Sequence, residues 1–192
     1  MNLAVLLSGS GRTLDNFHQR IEAGSMAGRI TAVISNQAAA LGLEKARAYG
    51  YPAFHGADNA AINALIAEQS VDLVLLAGFL KLYVPPPELQ RAVLNIHPAL
   101  IPAFSGAGMY GMRVHRAAHA RGVKVSGCTV HFANEAYDEG PIVVQKCVAL
   151  AKHDGPEEIA ARVFAAECEA YPEAVNLVAA RGVEYFWPSR RN

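Results

Sequence analysis

Asn95 and His97 stand two residues apart in the stretch LNIHPALIP, residues 94–102, where an apolar run gives way to a proline-bounded loop. An uncharged amide that donates hydrogen bonds, beside an imidazole that is neutral or cationic near neutral pH, suits an oxyanion that develops during a reaction. Side chains two apart on a strand share a face, and Pro98 restrains the backbone of His97, so the two groups read as positioned. Asp138, in NEAYDEGPI just ahead of a Gly-Pro pair, adds a carboxylate able to accept a proton at the same edge. The three residues also fit plain roles: Asn95 in a capped turn, His97 as a loop histidine with its hydrogen bonds met, Asp138 as a turn aspartate.

His131 lies in SGCTVHF, where strand alternation puts Thr129 and His131 on one face and Cys128, Val130 and Phe132 on the other. It reads either as support for the site or as a histidine bonded inside a sheet. His115 and His119 have the i, i+4 spacing of a metal pair, but no third ligand lies nearby in sequence and they read as surface histidines. Near the N-terminus, SGSGR, residues 8–12, follows an apolar run and opens a helical pattern, the setting in which backbone N–H groups and the helix dipole hold a phosphate. A dinucleotide fingerprint needs a third glycine where Leu14 stands and an acid after the second strand, where the chain has Ser35 and Asn36. With no nucleoside-triphosphate loop either, a single phosphate monoester is the better ligand.

The elements that must position these groups alternate. Apolar runs LAVLL, ITAVIS, PAF, VDLVLLA and AVLNI are separated by helical patterns over 14–22, 41–49 and 60–68. Runs without clean alternation suit central parallel strands covered on both faces, and predict an open, doubly wound, mostly parallel α/β sheet of Rossmann-like form. Ligands then gather beyond the carboxyl ends of the strands, where AVLNI delivers Asn95 and His97. After Pro98 the rhythm changes to a glycine-rich loop, SGAGMYGMR, a short helix near 114–120, and two strand candidates, KVSGCTVHF and PIVVQKCVAL, which predict a mixed C-terminal sheet edge. A long helix is expected over 156–181, with Pro156 in its first turn and Glu157 and Glu158 at the positive end of its dipole.

At 192 residues and 52% hydrophobic content, one domain over residues 1–192 is expected. The 17 basic and 17 acidic side chains balance, which speaks against nucleic acid or a membrane surface as partner and for a small molecule. Cys128, Cys147 and Cys168 are odd in number and widely spaced, so neither a disulfide framework nor a zinc site is indicated, and they read as reduced, buried fillers. The first residues are apolar too briefly for a signal segment, and a cytoplasmic location is expected.

SGSGR, LAGFLKLYVP, LNIHPALIP, GCTVHF and YDEGPIVVQ, in this order, resemble the folate-dependent formyltransferases, in particular those that formylate glycinamide ribonucleotide in purine synthesis. The resemblance covers nearly the whole chain, and its core, N-x-H-P-x-L-x-P followed about forty residues later by D-x-G-P, is specific to these enzymes and their deformylase relatives. It implies formyl transfer from 10-formyltetrahydrofolate to the amine of glycinamide ribonucleotide, with Asn95, His97 and Asp138 catalytic and no metal. It implies that the main chain of Lys81, Leu82 and Tyr83 lines the pterin pocket together with the loop holding Glu135, Tyr137 and Asp138. It further implies that Gly11, Arg12 and Thr13 hold the substrate phosphate and Glu167 the ribose hydroxyls. A homodimer is compatible with it.

Three departures from the family pattern are visible. The phosphate loop commonly reads Gly-Ser-Asn where this chain has Gly11, Arg12 and Thr13; the pterin segment often carries arginine and two aliphatics; and Phe164 stands where some members have a lysine. Arg12 is a candidate replacement for that lysine. The loop SGAGMYGMRVH is longer than in familiar members and reads as a mobile flap near the site. Competing readings are a different folate-dependent formyltransferase, a formyltetrahydrofolate deformylase, and a non-catalytic nucleotide- or folate-binding domain. The first two usually carry a further domain at one end, and the third has no need of all three polar residues.

Overall fold

The computed structural model describes residues 1–187 and divides into two compact units, Met1–Asn95 and Ile96–Asn192. Seven strands occur among the described residues. In the first unit they are β1 (Asn2–Leu7), β2 (Arg29–Ser35), β3 (Ala53–His55), β4 (Leu73–Leu76) and β5 (Val93–His97), whose last two residues begin the second unit. Helices α1 (Arg12–Glu22), α2 (Leu41–Ala48) and α3 (Asn59–Glu68) connect the first four.

The strands of the first unit lie in the order β3-β2-β1-β4-β5, all parallel. Leu3, Ala4, Val5, Leu6 and Leu7 are fully buried on both faces of β1, which explains why the run shows no alternation. Strand order reverses between β1 and β4, and a doubly wound sheet opens a crevice at such a point. The loops after the two strands are tied together there. Ser8 N–H donates to the Gly78 carbonyl at 3.2 Å. Ser8 Oγ accepts from Leu80 N–H at 2.9 Å and donates to Asn36 Oδ1 at 2.7 Å.

Helix α1 starts at Arg12, two residues earlier than the periodicity suggests, because Gly11 caps it in the left-handed region with no side chain to mark the place. At φ 71° a Cβ on Gly11 would also lie 2.8 Å from Gly42 Cα, at the start of α2. Gly42 in turn has no room for a Cβ, which would sit 2.6 Å from the Leu7 side chain. Two glycines thus let the α1 and α2 N-termini approach each other and β1.

The second unit holds α4 (Met112–Arg121), the antiparallel pair β6 (Val125–Phe132) and β7 (Ile142–Ala149), and α5 (Pro156–Arg181). A buried stripe of Ile159, Val163, Ala166, Ala170, Ala174 and Val178 on α5 has the spacing of one helix face. Gly155 N–H donates to Glu158 Oε2 at 3.0 Å, which closes the first turn. Five parallel strands followed by an antiparallel pair make the α/β, mostly parallel architecture that the sequence predicts. Of the cysteines only Cys128 is a buried filler, its thiol pushed up to about 12 by burial; Cys168 is half-buried and Cys147 exposed on β7, which corrects the expectation for both.

Gly11→Ala is expected to destabilise the protein by about 1–3 kcal/mol, the cost of a strained left-handed residue plus the contact with Gly42. Urea denaturation measures this, and an unchanged midpoint would mean the α1–α2 junction yields freely.

Candidate active site

His97 is the last residue of β5, and it is 3% exposed. Asn95 is two residues earlier on the same strand, half-buried, at the end of the first unit. The expected delivery of both residues to a strand's carboxyl end is thus observed. Thr129 fixes the loop that follows. It is fully buried on β6, and its Oγ1 donates to the Ala99 carbonyl at 2.7 Å and accepts from Ile101 N–H at 3.1 Å and Gln145 Nε2 at 3.0 Å.

Asp138 reaches this loop from the other side of the β6–β7 turn. Its side chain is 9% exposed, with Oδ2 at 3.5 Å from His97 Nδ1 and Oδ1 at 3.6 Å from His131 Nε2. Gly106 N–H donates to Oδ2 at 2.9 Å. The D-x-G-P motif has a steric reason: a Cβ on Gly140 would run into the Phe132 carbonyl, so only glycine lets the turn fold tightly back. The Pro141 carbonyl then accepts Phe132 N–H at 2.8 Å and β7 begins. Asp138 itself has φ 61°, a conformation aspartate tolerates better than most residues.

The second nitrogen of each imidazole is committed. His97 Nε2 lies 2.8 Å from the Phe104 carbonyl, and His131 Nδ1 lies 2.9 Å from the Phe132 carbonyl. A carbonyl oxygen only accepts, so both nitrogens carry a proton. His97 Nδ1 and His131 Nε2 are left to face the Asp138 carboxylate. When His97 gains its second proton it does so at Nδ1, beside the Asp138 carboxylate that favours the charged ring. His97 and Asp138 are thus coupled, each favouring the charged form of the other.

The glycine-rich loop differs from the expected mobile flap, since Phe104 and Gly106 are both bonded to this cluster. Phe104 has φ 52°, a strained conformation that aims its carbonyl at His97. No residue-type signal marks a backbone contact of this kind. His115 also differs from its reading as a surface histidine. It is 6% exposed on the inner face of α4, its Nδ1 has no hydrogen-bond partner among the described residues, and His97 acts on it electrostatically. His119 is exposed, with Nδ1 at 3.1 Å from the Asp154 carbonyl. Among the described residues no group of three His, Cys, Asp or Glu is arranged to hold a metal ion.

The other expected binding residues are distributed between the units. In the first, Gly11 caps α1 without a side-chain hydrogen bond, Arg12 and Thr13 form its opening turn, Lys81 and Leu82 are exposed, and Tyr83 is buried. In the second, Glu135 and Tyr137 are exposed in the loop that carries Asp138, while Phe164 and Glu167 are half-buried on α5.

Residues 1–175 match the family model described as formyl transferase. The chain is 38% identical over 197 residues to the chloroplastic phosphoribosylglycinamide formyltransferase of Arabidopsis thaliana, covering 95% of this chain and 67% of that one. It is 39% identical over 186 residues to the protein of the same name from Vigna unguiculata, of which it spans 59%. Among solved structures, glycinamide ribonucleotide transformylase 1 from Symbiobacterium toebii superposes with a TM-score of 0.85 at 40% identity, over 94% of this chain and 88% of that one.

Burial lowers the affinity of His97 for its second proton, against the opposing pull of Asp138 and the Phe104 carbonyl, and the charge of His131 lowers it further. Burial acts on His115 the same way, aided by His97. Burial alone would raise the Asp138 carboxyl, but His131, Gly106 N–H and the charge of His97 outweigh it and hold the group below its ordinary value. For all three the unfolded chain takes up the proton first as pH falls, so folding stability is lost in acid. Stability should decline as pH drops below the ordinary histidine value of 6.5, and again below the ordinary aspartate value of 3.8. Denaturation of wild type and His115→Gln across this range checks the assignment: the variant's decline below 6.5 should be shallower, and identical slopes would remove His115 from the account.

Proposed function

The chain belongs to the formyl transferase family, and from that premise we propose that it transfers the formyl group of 10-formyltetrahydrofolate to the amine of glycinamide ribonucleotide, a step of purine synthesis. The observation that carries the reading is the buried Asp138 carboxylate between His97 and His131. Two named plant relatives and a named structural neighbour support the choice of substrate.

On this reading the amine nitrogen bonds to the formyl carbon and the carbonyl oxygen becomes an oxyanion. Asn95 donates to that oxygen, and a proton taken up by His97 at Nδ1, beside Asp138, is available to it or to the leaving nitrogen. As the bond from the formyl carbon to the folate nitrogen breaks, the proton lost by the amine is the one the leaving nitrogen needs. The cluster accepts it and returns it, so the exchange balances within the site.

 

The residues expected to bind the two substrates are proposals of the same kind. The start of α1 at Gly11, Arg12 and Thr13, where the cap makes no side-chain hydrogen bond, would offer main-chain N–H groups to the phosphate, and Glu167 would take the ribose hydroxyls. Lys81, Leu82 and Tyr83, with Glu135 and Tyr137, would hold the folate. One family match running through both units supports treating residues 1–192 as a single functional domain. No helix among the described residues is long and apolar enough to cross a membrane. Small-molecule substrates ask for neither membrane nor nucleic acid; a cytoplasmic location and a homodimer remain part of the proposal.

Turnover of purified protein with both substrates tests the reading directly. Asn95→Ala should lower kcat by about 10² to 10³, the scale of losing one oxyanion donor, and Asp138→Asn by about 10² to 10⁴ with an unchanged circular dichroism spectrum. Near wild-type rates in both would remove the site from the mechanism. Arg12→Ala should weaken glycinamide ribonucleotide about tenfold to a hundredfold while leaving folate affinity alone, as expected for one charge-assisted phosphate contact. Unchanged nucleotide affinity on titration would mean that backbone amides hold the phosphate without it.

A further inference from the structure

Residues 80–84 of the first unit lie outside every strand and helix among the described residues. Leu80, Leu82 and Val84 point outward, 68%, 45% and 54% exposed, while Tyr83 turns inward and is 6% exposed. Lys81 lies along the protein, its Nζ 3.5 Å from the Ala57 carbonyl. Three aliphatic side chains facing water in one row are costly unless the backbone is held for another purpose.

What holds it is a pair of asparagines one turn apart on α3. Asn59 Nδ2 donates to the Leu82 carbonyl and its Oδ1 accepts Val84 N–H, both at 3.4 Å. This is the pattern by which a residue of a parallel strand would bond its neighbour, using the carbonyl and the N–H on either side of Tyr83. Asn63 Nδ2 donates to the Val84 carbonyl at 3.1 Å, and its Oδ1 accepts the Tyr83 hydroxyl at 2.9 Å. Each asparagine thus spends both ends of its amide on this segment. Burial keeps the Tyr83 hydroxyl protonated, so it serves as donor. Upstream, Leu80 N–H is fixed by Ser8 Oγ at 2.9 Å, and downstream Pro85, Pro86 and Pro87 stiffen the chain.

We propose that Asn59 and Asn63 are positioning residues that hold the main chain of residues 82–84 in its ligand-ready form before the formyl donor arrives. The proposal rests on the reading of this segment as the donor-binding loop. It also accounts for a departure from the family pattern: a tyrosine at position 83 needs a buried partner for its hydroxyl, and Asn63 supplies it. A loop ordered in advance binds without the entropy cost of ordering, so breaking the clamp weakens donor binding and leaves the chemical step intact.

The test combines kinetics with amide hydrogen exchange of the free protein. Asn63→Ala should raise KM for 10-formyltetrahydrofolate about threefold to thirtyfold, the range set by ordering a few residues, with kcat within about twofold and KM for glycinamide ribonucleotide unchanged. Tyr83→Phe, which keeps the ring, should raise the same KM by less. The double variant should match Asn63→Ala alone, because the two changes break one shared bond. In Asn59→Ala, which removes its acceptor, the Val84 amide should exchange faster than in wild type. An unchanged KM, a loss confined to kcat, or additive effects would overturn the proposal. If the wild type does not use this donor at all, the functional reading fails, and exchange at Val84 still decides whether the clamp exists.

Discussion

A carboxylate as deeply buried as that of Asp138 must be met by polar partners, and each of them comes from a different stretch of the second unit. His97 arrives from the end of β5, His131 from β6, and Gly106 N–H from the glycine-rich loop. An isolated charge at this depth costs several kcal/mol, so the three stretches are held where they can meet it. Other features follow from that requirement. Phe104 and Asp138 accept left-handed backbone, and Gly140 gives up its side chain so that the turn closes. The strain at the first two is of the kind that persists only where the surroundings over-determine it.

The arrangement also restricts where protons can go. With His97 Nε2 donating to the Phe104 carbonyl, proton exchange at this ring is confined to Nδ1, which faces the carboxylate. Burial disfavours a second proton on His97 and Asp138 favours it, and these opposing effects keep the ring able to gain and lose charge. A group set for general acid and base work needs that balance, whereas a histidine kept for packing alone does not.

Much of this was legible in residue types. Consecutive buried aliphatics in β1 announce a central parallel strand, and Asn95, His97 and Asp138 stand out as polar groups at the ends of such runs. Side-chain chemistry leaves a trace in sequence; backbone chemistry does not. The Phe104 carbonyl and the Gly106 N–H are invisible to residue type, so the glycine-rich loop reads as a flap when it is a partner of the site. His115 occupies a buried position on α4 beside Val114 and Ala118, and a polar residue there blurs the apolar face that would have revealed it. Cys147 is a small apolar residue on an outward-facing strand position, where composition alone predicts burial.

The placement of protons on the imidazoles is the most direct test of this account. Nitrogen–proton correlation spectra of the histidine rings report which nitrogen carries hydrogen. The account predicts His97 protonated at Nε2 and His131 at Nδ1 at neutral pH, with His97 Nδ1 the position that changes as acid is added and a response that alters in Asp138→Asn. A neutral His97 carrying its proton on Nδ1, or a titration indifferent to Asp138, would contradict it.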